Sequence, residues 1–152
     1  MRVPEPYERV MRMALAEAKL AGASGDIPIG AVVTDAEGRV LGTGRNLREA
    51  EHDPSGHAEI VALRHAAAAL GTSRLDGCIL FTTLEPCVMC AGAALTARVA
   101  RVVFGAWDAK AGAAGSIYDL LRDGRLPLRC EVVSGVLEAE CAAPLTAFFA
   151  EK

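Results

Sequence analysis

The sequence predicts a helix-flanked α/β sheet folded as a single domain over residues 1–152. Three observations lead there. The chain has 152 residues, 52% of them hydrophobic against 23% charged, enough to build a core and too apolar for a disordered segment. β-rich runs alternate with apolar helical stretches after an initial hairpin. No internal repeat, low-complexity tract or linker interrupts that alternation. Aromatics are only 5% of the chain, so the core falls to Ala, Val and Leu, and small side chains of this kind let helices pack closely.

Taken in order, Pro6 suits the first turn of a helix, where its missing N–H removes no hydrogen bond. Val10, Met11, Ala14, Leu15 and Ala18 then recur at helical spacing, with Arg9, Arg12 and Lys19 opposite, and Gly22 closes the pattern. Residues 29–35 and 39–45 read as strands joined by the Asp35-Ala36-Glu37-Gly38 turn. A polar connection over 46–56 leads to a helix over 57–70 that is apolar nearly all round and therefore buried. A strand over 78–84, a second buried helix over 87–97 and a strand over 100–105 form a parallel crossover unit. A Gly/Ala loop over 108–115, a short helix over 116–122, a strand over 128–134 and a helix over 138–149 complete the chain.

The longest uncharged run, 86–97, is 12 residues, short of the roughly 18 that a membrane span needs, so no membrane association is expected. Residues 1–8 carry Arg2, Glu5 and Glu8 with no apolar core, which reads as no secretory leader and a cytoplasmic protein. Five cysteines, an odd number, in such a setting point to thiols or metal ligands rather than a disulfide framework. Net charge is −3, yet residues 96–130 hold six basic and three acidic side chains. That excess fits either a solvated face or a rim that contacts phosphate.

The chemistry concentrates in two short segments. Pro86-Cys87-Val88-Met89-Cys90 sets two thiols three residues apart at a helix start, on one face of the first turn. His57 can complete a three-donor zinc site there and leave the fourth tetrahedral position to water, as catalytic zinc requires. Both segments lie at predicted helix N-termini, where unpaired N–H groups and the helix dipole favour thiolates at Cys87 and Cys90. Glu59, two residues after His57, would act on the water as general base and then return protons to the substrate. Together they match the H-x-E…P-C-x-x-C pattern of zinc nucleobase deaminases. The Cys-x-x-Cys pair alone fits a thiol redox motif equally well; that chemistry has no use for His57-Ala58-Glu59. A closed structural zinc would need a fourth ligand, and Cys78 and Cys130 read as buried strand cysteines. Cys141 reads as a small buried residue, His65 as exposed or packed, and His52 as a loop-structuring residue.

Further blocks extend the match. They are Ile27-Pro28-Ile29-Gly30-Ala31-Val32-Val33, His52-Asp53-Pro54, the run from Thr83 through Ala93, Phe104-Gly105-Ala106-Trp107-Asp108-Ala109-Lys110, Gly112-Ala113-Ala114-Gly115-Ser116, Glu140-Cys141-Ala142 and Phe148-Phe149. With these the sequence resembles the bacterial tRNA-specific adenosine deaminases, within the cytidine-deaminase-like enzymes. The resemblance implies a three-layer α/β/α fold around a five-stranded mixed sheet, one zinc per subunit and a homodimer. It implies hydrolytic conversion of adenosine to inosine at the wobble position of a tRNA anticodon stem-loop. His57, Cys87 and Cys90 correspond to zinc ligands, Glu59 to the proton shuttle and Asn46 to a side chain on the purine edge. The Ala58 and Glu59 N–H groups and the carbonyls of residues 84–86, Pro86 included, would complete the pocket. Asp108 and Lys110 would meet the anticodon-loop backbone, and Phe149 would pack against the loop. Trp107 departs from a position often basic in that family and fits either stacking on a base or packing. Two alternatives remain: a deaminase of a free base or nucleoside of guanine or cytosine type, and a non-catalytic zinc-stabilised RNA-binding subunit.

Overall fold

The computed structural model describes residues 4–151, so Arg2 of the N-terminal reading, the Lys152 tail end and the outermost limits of the single domain lie outside the described residues. A five-stranded sheet runs in the order β2-β1-β3-β4-β5. Its strands are β1 (Gly30–Thr34), β2 (Val40–Arg45), β3 (Ile79–Leu84), β4 (Arg101–Ala106) and β5 (Glu131–Val133). β1 pairs antiparallel with both β2 and β3, while β3, β4 and β5 are mutually parallel, which makes the sheet mixed.

Helices α1 (Glu5–Ala23) and α4 (Glu138–Ala150) cover one face, and α2 (Ala58–Leu70) and α3 (Val88–Ala97) cover the other. Side-chain alternation along the strands divides the core accordingly. Ala31, Val33, Leu80, Val102 and Phe104 pack beneath α2 and α3. Val32, Phe81 and Val103 pack with Val10, Met11 and Ala14 of α1 and Cys141 of α4. This is the expected three-layer α/β/α arrangement. Among the described residues no helix is long and apolar enough to cross a membrane.

The hairpin forms as read. Gly38 takes the left-handed conformation, at φ 92°, while Asp35 Oδ1 accepts the Glu37 and Arg39 N–H groups. Cys78, Cys130 and Cys141 are buried free thiols, and exposed His65 holds the Thr43 carbonyl at 2.7 Å through Nδ1. His52 lies in the connecting loop with φ 50°.

Two expectations change in the region 107–134. The helix read over 116–122 is a one-turn 3-10 helix, Leu120–Arg122, preceded by a bridge between Ala114 and Asp119. Helix formation fails there because the Leu120 N–H, which a helix would send back to Ser116, donates to the Ala113 carbonyl at 2.9 Å beside the Ala114–Asp119 bridge, and Gly115 turns at φ 135°. The last strand is three residues, Glu131–Val133, because it meets only the first half of β4.

Helix-to-sheet distance is set by glycine. A Cβ on Gly44 would overlap the Ala58 carbonyl oxygen, and one on Gly42 would lie 2.6 Å from both Ala62 O and Ala66 N. On the other face a Cβ on Gly30 would overlap the Ala14 carbonyl of α1. Gly44→Ala should therefore cost about 1–3 kcal/mol, the usual penalty for overpacking. Gly92→Ala, with open space around its position in α3, should fall within about 1 kcal/mol of the parent. Urea titrations of the two variants beside the parent measure both effects.

Candidate metal and substrate site

Antiparallel pairing of β1 with both neighbours leaves β2 and β3 pointing the same way, and β4 follows β3. The C-terminal ends of β2, β3 and β4 therefore meet at one edge of the sheet, with the N-terminal end of β1 among them. Segments leaving such strand ends form the crevice that α/β sheets use for ligands. Here Asn46 follows β2, Cys87 follows β3 and Trp107 follows β4.

Two helix starts converge on that edge. His57 is the N-cap of α2 and Cys87 the N-cap of α3, both with extended backbone and neither with a capping side-chain hydrogen bond. Each therefore lies one residue ahead of its helix rather than inside the first turn. His57 Nδ1 is 3.6 Å from Cys87 Sγ and 3.4 Å from Cys90 Sγ, and the three potential donor atoms all lie within 4.8 Å of one another. A tetrahedron with zinc–nitrogen bonds of about 2.0–2.1 Å and zinc–sulfur bonds of about 2.3 Å has nitrogen–sulfur edges of roughly 3.5 Å. The observed spacings fit a zinc ion without rearrangement, and Cys78, Cys130 and Cys141 belong to other parts of the core. The site is open to a further donor on the cavity side.

The three donors and Glu59 interact electrostatically with one another. The hydrogen bond from Cys90 brings the Cys87 thiol down to about 3 against the opposing effect of burial, while the same bond pushes Cys90 up. His57 is raised, chiefly by its hydrogen bond with Cys87. Glu59 is 4% exposed, and burial pushes its carboxyl up to about 7.

A cavity of about 560 Å³ opens above the cluster. His57, Glu59 and Cys87 form part of its lining, with Ile27, Ile29, Asn46, Arg48, Leu84 and Glu85 on one part of the wall. Residues 107–111, Leu145 and Phe149 supply the rest. The structure thus brings Asn46, Asp108, Lys110 and Phe149 to the same space as the cluster. Ala58 is buried beneath Gly44, and the Pro86 carbonyl accepts the Ala113 N–H at 2.8 Å, so neither is in the lining.

The Asn46 amide donates one N–H to the Ile27 carbonyl and accepts the Arg48 N–H, keeping one donor and one lone pair in reserve. Asp108 Oδ1 accepts the Lys110 and Ala111 N–H groups, so its carboxylate also shapes its own loop. Trp107 is half-exposed and meets Phe104 edge-on at 4.9 Å. Of the six basic residues in 96–130, Arg101, Arg122 and Arg125 pair with Glu131, Asp119 and Asp123, and only Lys110 reaches the cavity.

Sequence reasoning passed over Arg48, which lines the cavity together with Lys110, and two buried carboxylates that hold neighbouring loops. Asp26 receives the Glu49 and Ala50 N–H groups at 2.7 and 3.1 Å. Glu85 receives three backbone N–H groups and the Ser116 hydroxyl, and these outweigh its burial to hold its pKa below the ordinary value. An acid closing an apolar strand was a readable sign for Glu85. Nothing local marked Arg48.

An α/β/α sandwich that presents a nitrogen–sulfur–sulfur donor set beside a buried acid has the makings of a zinc-dependent hydrolase. Residues 4–106 match the family model for the cytidine and deoxycytidylate deaminase zinc-binding region, and the chain belongs to that family. It is 49% identical over 144 residues to a tRNA-specific adenosine deaminase of Bacillus subtilis strain 168, covering 95% of this chain and 89% of that one. A solved structure from studies of A-to-I editing by tRNA:A34 deaminases is 41% identical with a TM-score of 0.86, covering 90% of this chain and 99% of the other. A guanine deaminase from Nitrosomonas europaea is 27% identical with a TM-score of 0.82, covering 99% and 86% respectively.

Metal analysis of the purified protein should find zinc bound by the single His57–Cys87–Cys90 cluster, and Cys90→Ala should reduce it to trace levels. A Cys90→Ala protein that keeps its full zinc would place the metal elsewhere.

Proposed function

We propose that this protein deaminates adenosine to inosine at the wobble position of a tRNA anticodon, with His57, Cys87 and Cys90 holding zinc and Glu59 moving the protons. The buried Glu59 carboxylate beside the three-donor cluster on the cavity wall carries the chemical part of this reading. The extended likeness to a tRNA-specific adenosine deaminase, at 49% identity, supports the choice of substrate.

Zinc, when bound, supplies the positive charge that lets water ionise near neutral pH. The rest is done by the chain. Glu59 accepts a proton from the attacking water and delivers it to N1 of the purine as C6 becomes tetrahedral. It then carries the second proton to the amine, which leaves as ammonia while the C6–O double bond forms. Adenosine and water are consumed; inosine and ammonia are produced. The free donor and lone pair of Asn46 orient the purine edge. Lys110 and Arg48, both in the cavity lining, meet phosphates, and Phe149 and Trp107 offer aromatic faces to bases turned out of the loop stack. A base already in a single-stranded loop leaves its stack at low cost, which favours an anticodon over a duplex.

The same reading places the enzyme in the cytoplasm, where tRNA is processed, as a homodimer. A second reading, deamination of free guanine, has support in the likeness to the Nitrosomonas europaea enzyme over 99% of this chain. Incubation with an anticodon stem-loop and, separately, with free guanine and cytosine distinguishes the two. Inosine in the stem-loop is the expected product; ammonia from a free base with an unedited stem-loop would overturn the tRNA reading.

Glu59→Ala should keep zinc and fold while kcat falls by about 10²–10⁴-fold. Undiminished turnover would remove Glu59 from the mechanism.

A further inference from the structure

Glu85 follows β3 directly, one residue before Pro86, and is 1% exposed. Oε1 accepts the Asp108 N–H at 2.9 Å and the Ser116 hydroxyl. Oε2 accepts the Ala114 and Ser116 N–H groups at 2.9 and 3.0 Å. Two donors on each oxygen fill the acceptor capacity of a carboxylate. Among the described residues no cation pairs with it, so backbone and hydroxyl donors alone meet its charge. Gly112 completes the enclosure, since a Cβ there would overlap the carboxylate itself.

The chain wrapped around this carboxylate forms a wall of the cavity. Asp108, held at its N–H by Glu85, uses its own carboxylate to hold the Lys110 and Ala111 N–H groups at 3.1 and 3.2 Å. A continuous relay therefore runs from the end of β3 through Asp108 to Lys110. Asp108, Ala109, Lys110 and Ala111 all line the cavity. The Lys110 side chain is exposed; its loop is held by this relay together with the Gly112 N–H on the Asp108 carbonyl at 2.9 Å and the Ala113 N–H on the Pro86 carbonyl at 2.8 Å.

We propose that Glu85 is a positioning residue for the substrate. Its carboxylate sets where the 108–111 rim stands over the cavity, and so the affinity for the anticodon-loop backbone, without touching the RNA or the reacting atoms. This rests on the tRNA reading above.

Glutamine at this position makes the claim specific. One of its two terminal atoms is an NH₂ group, which cannot accept. Facing Ala114 and Ser116 it would oppose two backbone N–H groups. Facing the other way it can donate to the Ser116 hydroxyl, which rotates to accept, and only the Asp108 N–H loses its partner. Glu85→Gln therefore unpins the rim at Asp108 while the turn at 114–116 stays bound.

The test is steady-state kinetics on an anticodon stem-loop, with zinc content measured on the same samples. Glu85→Gln should raise KM about tenfold, as expected for one unmade buried hydrogen bond, with kcat within about threefold and zinc unchanged. Gly112→Ala, which pushes on the carboxylate from the opposite side, should give the same split. Because Glu85 acts through Lys110, Glu85→Gln should add little to the KM of Lys110→Ala. Loss of zinc, a fall in kcat at constant KM, or full additivity with Lys110→Ala would overturn the proposal. If Glu85→Gln does not fold, Ser116→Ala decides on the same criteria, with a smaller rise in KM.

A wild-type enzyme that deaminates free guanine and leaves the stem-loop unedited would overturn the tRNA reading instead. Hydrogen exchange at the Asp108 amide then decides Glu85's positional role separately: at least tenfold faster exchange in Glu85→Gln upholds it, and unchanged protection overturns it.

Discussion

The close approach of α2 to the sheet is the constraint on which the molecule depends. Gly42 and Gly44 remove the side chains that would hold the helix away, and Ala58, Ala62 and Ala66, four residues apart, present the matching small face. The helix backbone consequently rests almost on the backbone of β2. Its N-terminus is then fixed relative to the strand ends, and with it His57 and Glu59. Gly30 brings α1 similarly close on the opposite face, and Gly105 does so for Cys141 of α4. A sheet clamped at these points fixes the helix starts that carry the donor set, as metal geometry, with its tolerance of about 0.2 Å, demands.

The position of the site carries a local cost in stability. Helices commonly start with Ser, Thr, Asp or Asn because such side chains satisfy an unpaired N–H, a contribution of about 1 kcal/mol each. Here the two N-caps are an imidazole and a thiol, and neither caps. The unpaired N–H groups are left aimed at the cluster, where they favour negative charge on sulfur. Glu59, in the first turn of α2, is buried with no Lys or Arg salt bridge among the described residues, a second arrangement that function explains and stability does not. Tight packing of Ala and Val elsewhere in the core offsets these local losses.

Much of the fold was legible because its signals are local. Periodicity placed the first helix, long apolar runs placed α2 and α3, and the Asp35–Gly38 turn placed the hairpin. The metal chemistry was legible for a similar reason: Cys-x-x-Cys at a helix start and His-x-Glu at another each announce themselves within five residues. What escaped were features that exist only after folding. Residues 116–122 have helical composition, yet the Leu120 N–H that a helix would send back to Ser116 pairs with the Ala113 carbonyl, and Glu85, some thirty residues earlier, holds the turn at 114–116 that leads into it. The basic excess over 96–130 was visible, but ion pairs engage Arg101, Arg122 and Arg125, and the second cation at the cavity is Arg48, from another segment altogether and itself 3.9 Å from the Glu49 carboxylate. Net charge and segment charge are sums; recognition depends on which charges share a cavity.

The same distinction bears on how an acidic protein can address RNA. A chain of net charge −3 gains nothing from bulk attraction to phosphate, so binding must come from geometry at the site. Two buried carboxylates contribute to that geometry. Asp26 ties down the loop that carries Arg48, and Glu85 ties down the loop that carries Lys110. Neither negative charge reaches solvent, since each is enclosed by N–H donors, and each fixes a cation-bearing wall above the cluster. Walls held in advance reduce the ordering cost of binding, which otherwise falls on long, exposed side chains such as lysine and arginine. In this protein acidic residues thus contribute to phosphate recognition, by holding in place the backbone from which the basic ones reach.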